Sequence, residues 1–257
     1  MDTQNRLPAL LPKKFLETFN TSSLRTFFER IHSWVAYIRE IGFETAYLSN
    51  TTENPKPLII FILGPPGAGK GTQSALLETA FPCLTHLSYG DLLRSEHGIP
   101  GSWVSTLPRR RGGATPVVPA DAAVQLIRQA IDAGMQRGQF MWLVDGFPRS
   151  EAHVEAWIAQ MPVAQCTLYF SCPRDILTRR VLGRAETSGR PDDAVLSIVQ
   201  ERVERSINEC DALLSALAKY GMPAVEIDAT QKVEDIKQSV HAVSWEAINA
   251  WKLEQGL

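Results

Sequence analysis

A glycine-rich turn that follows an apolar run constrains this 257-residue chain more than any other feature. Residues 58–63 form an uninterrupted apolar stretch of strand length, which is typical of a strand buried on both faces of a parallel sheet. The run ends at Gly64, and residues 64–72 read Gly-Pro-Pro-Gly-Ala-Gly-Lys-Gly-Thr. A strand, a glycine-rich turn, a lysine and a hydroxyl in this order predict a phosphate-binding loop.

The chemistry of this turn follows from its residue types. Glycines let the backbone fold back so that successive amide hydrogens point into one concavity, and Lys70 adds a positive charge beside the outer phosphates of a nucleotide. Residues 73–80 are predicted to form a helix whose N-terminal amides and dipole face the same phosphates. Gly71 follows the lysine, so the hydroxyl comes one position later, at Thr72. A chance glycine-rich loop is the alternative, but the combination of features favours the phosphate site.

The composition indicates an ordinary globular protein. Its net charge of −2 and hydrophobic content of 44% give no bias towards nucleic acid. The four cysteines lack a Cys-x-x-Cys spacing, so buried thiols in a reducing compartment are expected rather than disulfides or zinc. No stretch reaches the ~18 apolar residues of a membrane span, and the N-terminus lacks the pattern of a signal or transit peptide. The cytoplasm is therefore the expected location.

Residues 1–56 precede the first strand and are predicted to be a helical extension and linker. From Ser22 or Ser23 to Ile41, apolar residues recur at spacings of three or one, which predicts an amphipathic helix at about 22–41. Its apolar face needs a cover, either the body of the protein, a second copy or a partner. A membrane surface is the weaker alternative, because the polar face mixes both signs of charge.

Residues 64–72 have the form Gly-x-Pro-Gly-x-Gly-Lys-Gly-Thr, which resembles the loop of the nucleoside monophosphate kinases, the adenylate kinases and UMP-CMP kinases. Two further stretches are similar to motifs of this family and follow in its order. They are residues 85–96, which contain Ser-Tyr-Gly-Asp-Leu-Leu-Arg, and residues 145–149, which read Asp-Gly-Phe-Pro-Arg. The resemblance covers roughly residues 57–250.

The resemblance implies an α/β fold: a P-loop, doubly wound, parallel five-stranded sheet with helices on both faces. It places a nucleoside monophosphate kinase domain at 57–257, with an acceptor-binding insertion at about 88–120 and a short lid at about 183–193. Gly189, Asp192 and Asp193 predict that this lid is a mobile, solvated cover.

Each nucleotide has implied ligands. For ATP these are Gly64, Pro65, Pro66, Gly67, Ala68, Gly69, Lys70, Gly71, Thr72, Arg180 and Arg184. The cations expected to stabilise the transferring group are Lys70, Arg149, Arg184, Arg190 and Arg202, since transfer between two polyanions requires positive charge around the equatorial oxygens. Magnesium is expected with ATP, held by Thr72 and, through water, by Asp145; no zinc is expected. Asp145 ends an apolar strand, where a doubly wound sheet has its ligand crevice.

The acceptor site is implied at Ser88, Tyr89, Arg94, Val117, Val118, Gly146, Arg149 and His153. Two of these positions depart from the family, which usually has threonine or alanine at Tyr89 and glutamine or asparagine at His153. A phenol ring either occupies space that the base needs or stacks on the base. The histidine can bond to a base edge or be exposed and idle. Trp157 is predicted to be a packing residue.

Residues 100–115 contain prolines where relatives have a helix, so a regular helix is not expected there. Their three consecutive arginines, Arg109 to Arg111, are interpreted as a solvated loop, or alternatively as a field that attracts nucleotides. Two smaller departures affect the lid: Ala185 replaces a common glycine, and one extra residue lies between Asp193 and Arg202.

The implied reaction is reversible transfer of the γ-phosphoryl group of ATP to a nucleoside monophosphate, UMP, CMP or AMP, which gives ADP and a nucleoside diphosphate. The short lid and Trp157 favour UMP or CMP, whereas residues 85–96 are more similar to a cytosolic adenylate kinase. A nucleotide-binding regulatory or interaction protein on the same fold is the main alternative, because of Tyr89, His153 and residues 100–115. A kinase for a non-nucleotide phosphate is the third.

Overall fold

The computed structural model describes residues 56–108, 116–188 and 193–256. Several predicted features fall outside these ranges: the helix at about 22–41, the three arginines at 109–111, Gly189, Arg190 and Asp192. The division into an extension at 1–56 and a kinase domain at 57–257 stays a prediction.

Five parallel strands form the sheet. They are β1 (Leu58–Leu63), β2 (Leu84–Ser88), β3 (Met141–Asp145), β4 (Cys166–Ser171) and β5 (Ala224–Asp228). The strand order is β2-β3-β1-β4-β5, and every neighbouring pair is parallel. The glycine-rich turn therefore leaves the central strand, and the predicted doubly wound fold is confirmed.

Helices connect the strands and surround the sheet. They are α1 (Lys70–Ala80), α2 (Tyr89–His97), α3 (Ala120–Met135), α4 (Glu151–Gln160), α5 (Arg174–Gly183), α6 (Ala185–Ser188), α7 (Leu196–Asn208), α8 (Cys210–Lys219) and α9 (Val233–Gln255). None of them, within the ranges that the structure describes, is long and apolar enough to cross a membrane.

The apolar run of β1 is buried along its whole length, as its sequence predicts. Ile59, Phe61 and Leu63 share one core with residues of α3, α4 and α8. Leu58 and Ile60, which alternate with these residues along β1, are also fully buried. Helix α9 packs against β1 and β4. Because alternate side chains of a strand point to opposite faces, helices cover the sheet on both sides.

Trp157 is a packing residue, as predicted. Its side chain is fully buried, with its ring centroid 4.9 Å from that of Phe61 and 5.7 Å from that of Phe147. Its indole N–H donates to the carbonyl oxygen of Pro162 at 2.8 Å, so the one polar atom of the ring is satisfied.

Two predicted helix starts differ from the observed ones. Helix α1 begins at Lys70 rather than at residue 73, so the lysine belongs to its first turn. Residues 85–96 would be expected from their sequence to form a short strand that breaks at Gly90 and restarts as a helix, and this expectation is wrong. Strand β2 ends at Ser88, whose hydroxyl accepts from the N–H of Asp91 and caps α2 directly. A serine N-cap lets the chain pass from strand to helix without a loop, and this places Gly90 inside the helix. In the described part of 100–115, the only regular element is one 3₁₀ turn, Trp103–Thr106.

Candidate active site

A cleft of about 590 Å³ opens at the carboxyl ends of β1, β2 and β3. The last residue of each of these strands, Leu63, Ser88 and Asp145, lines it. Parallel strands bring their carboxyl ends to one edge of the sheet, and the loops that follow carry the functional side chains. The cleft is therefore where the fold predicts a ligand site.

The glycine-rich turn lies at the floor of this cleft. Gly64, Gly67 and Gly69 all have positive φ values, 139°, 85° and 90°, in the range that favours glycine. A Cβ atom at Gly67 would stand 2.6 Å from the carbonyl oxygen of Leu177 in α5, so the turn also needs glycine in order to approach that helix. Nζ of Lys70 donates to the carbonyl oxygens of Gly64 (2.7 Å) and Pro65 (3.0 Å), which holds the ammonium group over the turn.

Cationic side chains from separate parts of the chain converge on this cleft. Its lining includes Lys70, Arg94, Arg149, Arg184, Arg202 and Arg205. They come from α1, from α2, from the turn before α4, from the end of α5 and from α7. Such a cluster provides a site for polyanions, because charges of one sign in a concave site reinforce one another's field.

A second, smaller cavity of about 280 Å³ lies on the other side of the turn. Arg180 lines this cavity, and Arg184 lines both. A guanidinium nitrogen of Arg180 donates to the carbonyl oxygen of Ala229 at 2.9 Å. Like Arg180, two further predicted ATP ligands do not line the larger cleft: Ala68 lines the smaller cavity instead, and Pro65 accepts a hydrogen bond from Lys70 through its carbonyl oxygen.

All the predicted acceptor residues line the larger cleft: Ser88, Tyr89, Arg94, Val117, Val118, Gly146, Arg149 and His153. Arg94 pairs with the carboxylate of Asp91 one turn earlier on α2. Nε of Arg149 donates to the carbonyl oxygen of Gly146 at 2.7 Å. The two arginines expected to bind the acceptor phosphate are thus present in one site, each with a protein partner.

His153 has a contact that neither predicted alternative included. Its Nδ1 accepts from the backbone N–H of Arg149 at 3.2 Å, at the start of α4. For Nδ1 to accept, the neutral ring carries its proton on Nε2. His153 therefore helps to hold the turn that carries Arg149, besides lining the cleft.

Asp193 is not part of a solvated cover, contrary to the sequence prediction; the rest of that prediction, Gly189 and Asp192, lies outside the described residues. Its side chain is fully buried, and its two carboxylate oxygens accept from Nε of Arg184 (2.9 Å) and from Nη1 of Arg202 (2.8 Å). Burial of a carboxylate is tolerated because charge-assisted hydrogen bonds compensate for lost hydration. Asp193 thus connects the end of α5 to α7 and aligns two of the predicted cations.

A histidine that the sequence analysis did not single out lies beside Asp145. Nε2 of His86, in β2, is 3.4 Å from a carboxylate oxygen of Asp145, an ion-pair contact without good hydrogen-bond alignment. Burial alone would raise the pKa of Asp145, but His86, Lys70 and Arg149 together lower it. Burial alone would lower the pKa of His86, but Asp145 and other carboxylates raise it on balance. Asp145 is therefore ionised at neutral pH.

The side chains of Asp145 and Thr72 fit a magnesium site. The ionised carboxylate of Asp145 and the hydroxyl of Thr72 line the same cleft and are hard oxygen donors, the kind that Mg²⁺ prefers. Within residues 56–108, 116–188 and 193–256, no group of three His, Cys, Asp or Glu side chains stands close enough to hold a metal alone. The protein residues therefore fit a magnesium ion that takes most of its ligands from phosphate and water.

Arg205 is a cleft cation that the sequence analysis missed. It lies one turn beyond Arg202 on α7, and its guanidinium contacts Glu201 at 2.5 Å. The i, i+3 spacing from Arg202 was the available signal, since residues three apart share a helix face. Four residues further along the same stretch, Glu209 also lines the cleft.

Comparison with known proteins is consistent with this geometry. The sequence profile of the family described as adenylate kinase matches residues 62–243. The UMP-CMP kinase of Gallus gallus is 33% identical over 192 residues, which are 72% of this chain and 95% of that protein. The uridylate kinase of Saccharomyces cerevisiae is 34% identical over 182 residues, covering 71% of this chain and 88% of that protein. The UMP-CMP kinase of Homo sapiens is 32% identical over 192 residues, with shares of 72% and 95%.

Proposed function

Since this chain belongs to the adenylate kinase family and is an ATP-dependent nucleoside monophosphate kinase, we propose that its acceptor is a pyrimidine nucleotide, UMP or CMP. Three observations support this choice over AMP. Relatives that match about 70% of the chain are named UMP-CMP kinase or uridylate kinase. The lid that the resemblance implies at about 183–193 is short, and the ring of Tyr89 takes up space at the acceptor end of the cleft.

The observation that carries the transfer reaction itself, whichever base is accepted, is the convergence of cations around one cleft at the carboxyl ends of the strands. We assign Lys70 and the amides of the glycine-rich turn to the phosphates of ATP, with Arg180 and the smaller cavity on the nucleoside side. Arg94 and Arg149 bind the acceptor phosphate. Arg184 and Arg202 would then stand between the two nucleotides. Arg190, which lies outside the described residues, is proposed for the same task from the sequence alone.

Catalysis in this arrangement depends on position and charge. The acceptor phosphate needs no general base, because its second pKa is near 6 and it is largely dianionic at neutral pH. Its oxygen attacks the γ-phosphorus of ATP in line with the departing ADP oxygen. Arginines are suited to the three equatorial oxygens because their planar fork donates to two oxygens at once.

Thr72 and, through water, Asp145 would hold magnesium, and the ion would supply positive charge to the phosphate oxygens of ATP. The low pKa of Asp145 keeps the carboxylate ionised for this task. Asp193 keeps Arg184 and Arg202 oriented, and closure of the lid would exclude water, which prevents hydrolysis of ATP.

The test is an acceptor panel with the full chain. Purified protein, Mg-ATP and each of UMP, CMP, AMP, GMP and dTMP are incubated separately, and the nucleoside diphosphate is quantified. We expect kcat/KM to be highest for UMP or CMP. Higher kcat/KM for AMP would overturn the pyrimidine assignment, and ATP binding without turnover on any acceptor would favour the regulatory alternative.

A further inference from the structure

Tyr89, the residue that departs most from the family at the acceptor site, is fixed in place by the core. Its side chain is only 2% exposed, although it is the first residue of α2 and lines the cleft. Its ring meets Phe147 edge-on, with centroids 5.3 Å apart and planes inclined at 73°. Phe147 is itself fully buried and contacts Phe61 and Trp157. The tyrosine ring is therefore a rigid extension of the aromatic core into the cleft.

The cleft side of this ring carries Arg149. The guanidinium carbon of Arg149 lies 4.8 Å from the centroid of the Tyr89 ring, within the range of a cation–π interaction. The contact consumes no N–H donor, because the ring attracts the charge as a whole. Tyr89 makes no side-chain hydrogen bond in the described part of the chain, so its contribution there comes from the ring and not from the hydroxyl.

Two other contacts hold the same arginine. Its Nε donates to Gly146, and its backbone N–H donates to His153, whose ring centroid lies 5.0 Å from that of Phe147. The ring of Tyr89 adds a contact to the face of the same guanidinium, and this contact comes from the core side. An arginine held on its face as well as at its Nε has fewer rotamers to lose when a phosphate binds.

We infer that Tyr89 is a positioning residue, whose ring holds the Arg149 guanidinium in place at the acceptor end of the cleft before the acceptor binds. The inference rests on the proposed function in one respect, that Arg149 binds the acceptor phosphate. The threonine or alanine usual in the family has no aromatic face, so this device belongs to the present chain. We expect the main effect on acceptor binding, since Arg149 is the residue assigned to the acceptor phosphate that the Tyr89 ring contacts.

A double-mutant cycle tests the coupling. Tyr89→Leu keeps an apolar side chain in the buried site but removes the aromatic face, and Arg149→Met removes the charge at similar length. Tyr89→Leu should raise KM for UMP roughly 2- to 30-fold, the range expected from loss of a cation–π contact. KM for ATP should change less than twofold. In the Arg149→Met background, Tyr89→Leu should cause no further rise in KM for UMP.

Tyr89→Phe is the matched control, because it keeps the ring and removes only the hydroxyl. It should recover most of the acceptor affinity that Tyr89→Leu loses, and thermal unfolding of every variant checks the fold. An equal loss from Tyr89→Leu in both backgrounds would overturn the inference, as would equal losses in Tyr89→Phe and Tyr89→Leu.

Calorimetric titration with UMP and with AMP separates this inference from the proposed function. The proteins titrated are the four of the cycle: the wild type, Tyr89→Leu, Arg149→Met and the double variant. Binding with the expected coupling but without transfer would refute the function and keep the positioning role. Transfer without coupling would refute the positioning role alone. Failure of the wild type to bind either nucleotide would refute both.

Discussion

Lys70 shows how one side chain can serve two partners in succession. Its Nζ donates to the carbonyl oxygens of Gly64 and Pro65 within its own turn. These bonds hold the ammonium group where the phosphates of ATP would lie, so little rearrangement is needed for binding. The pattern of glycines and lysine predicted the anion site, and the geometry adds how the charge is held before a nucleotide arrives.

Lys70→Met should reduce kcat at least about 100-fold, because a preorganised charge that stabilises the transferring group is removed. The thermal unfolding temperature should change little, since the lysine is not part of the core. The control is Lys237→Met on α9. In the described residues, Lys237 forms one ion pair, with Glu234 at 3.1 Å. Steady-state assays of both variants make the comparison; similar rates in the two would contradict the role of Lys70.

The contact between His86 and Asp145 should make stability depend on pH. The folded-state pKa of His86 lies above its ordinary value of 6.5, so its stabilisation is complete below pH 6.5 and disappears as pH rises through the folded value. The folded-state pKa of Asp145 lies below 3.8, so its stabilisation is present above that pH and is lost as pH falls further. The pair therefore stabilises the fold most between about pH 4 and 6.5.

His86→Asn should consequently destabilise the protein more at pH 5.5 than at pH 8. Urea unfolding at the two pH values, in buffer without magnesium or nucleotide, measures this difference. In an Asp145→Asn background the pH-dependent part of the effect should vanish. A loss of stability that is the same at both pH values would mean that His86 stabilises the fold through packing and not through charge.

Among the elements, the turn between β1 and α1 has the strictest requirements. Gly67 combines a positive φ with close approach to Leu177 of α5, whereas a Cβ atom at Gly71 would meet nothing within 4 Å. The two glycines lie in one motif, but only at Gly67 do the backbone conformation and the neighbouring helix require glycine. The motif alone could not separate them, because the distance to α5 depends on how that helix packs.

Gly67→Ala should therefore lower the free energy of unfolding by about 1–3 kcal/mol from backbone strain, with a further loss from the contact with Leu177. Gly71→Ala should cause no loss, because it replaces glycine within a helix where space is open. Chemical denaturation of the two nucleotide-free variants provides the comparison. Equal stability of both would show that the turn relaxes without cost.

At the scale of the whole molecule, a chain with a net charge of −2 gathers at least six cations around one cleft. Of the described residues, three acidic ones, Asp91, Asp145 and Glu209, also line the cleft, but the cations outnumber them, so the excess of positive charge and its field are local to this site. Such a field attracts nucleotides over a distance that salt shortens, because the Debye length falls from ~10 Å at 0.1 M to ~3 Å at 1 M.

Raising KCl from 0.05 M to 0.5 M should therefore increase KM for both ATP and the acceptor several-fold, with a smaller change in kcat. Initial rates at saturating and limiting nucleotide distinguish the two constants, and thermal unfolding in the same buffers controls for changes in stability. KM values that are unchanged or lower at high salt would show that long-range charge does not assist binding.

Local sequence patterns determined most of the fold and the identity of the site. The apolar run of β1, the glycine-rich turn and the Asp-Gly-Phe-Pro-Arg motif each lie in fewer than ten consecutive residues, and so their geometry is set by near neighbours. Strands β1 and β3 were predicted for the same reason, and the family motifs indicated the number of strands and which side chains would meet.

Only the tertiary structure decided how these side chains are held. The burial of Asp193 between Arg184 and Arg202 joins α5 to α7, and the contact of His86 with Asp145 joins two strands. A polar residue in a sequence reads as exposed unless its partner is known, which is why Asp193 was predicted to be solvated. Composition and periodicity record which residues are polar, but their partners are chosen by packing, which brings distant segments together.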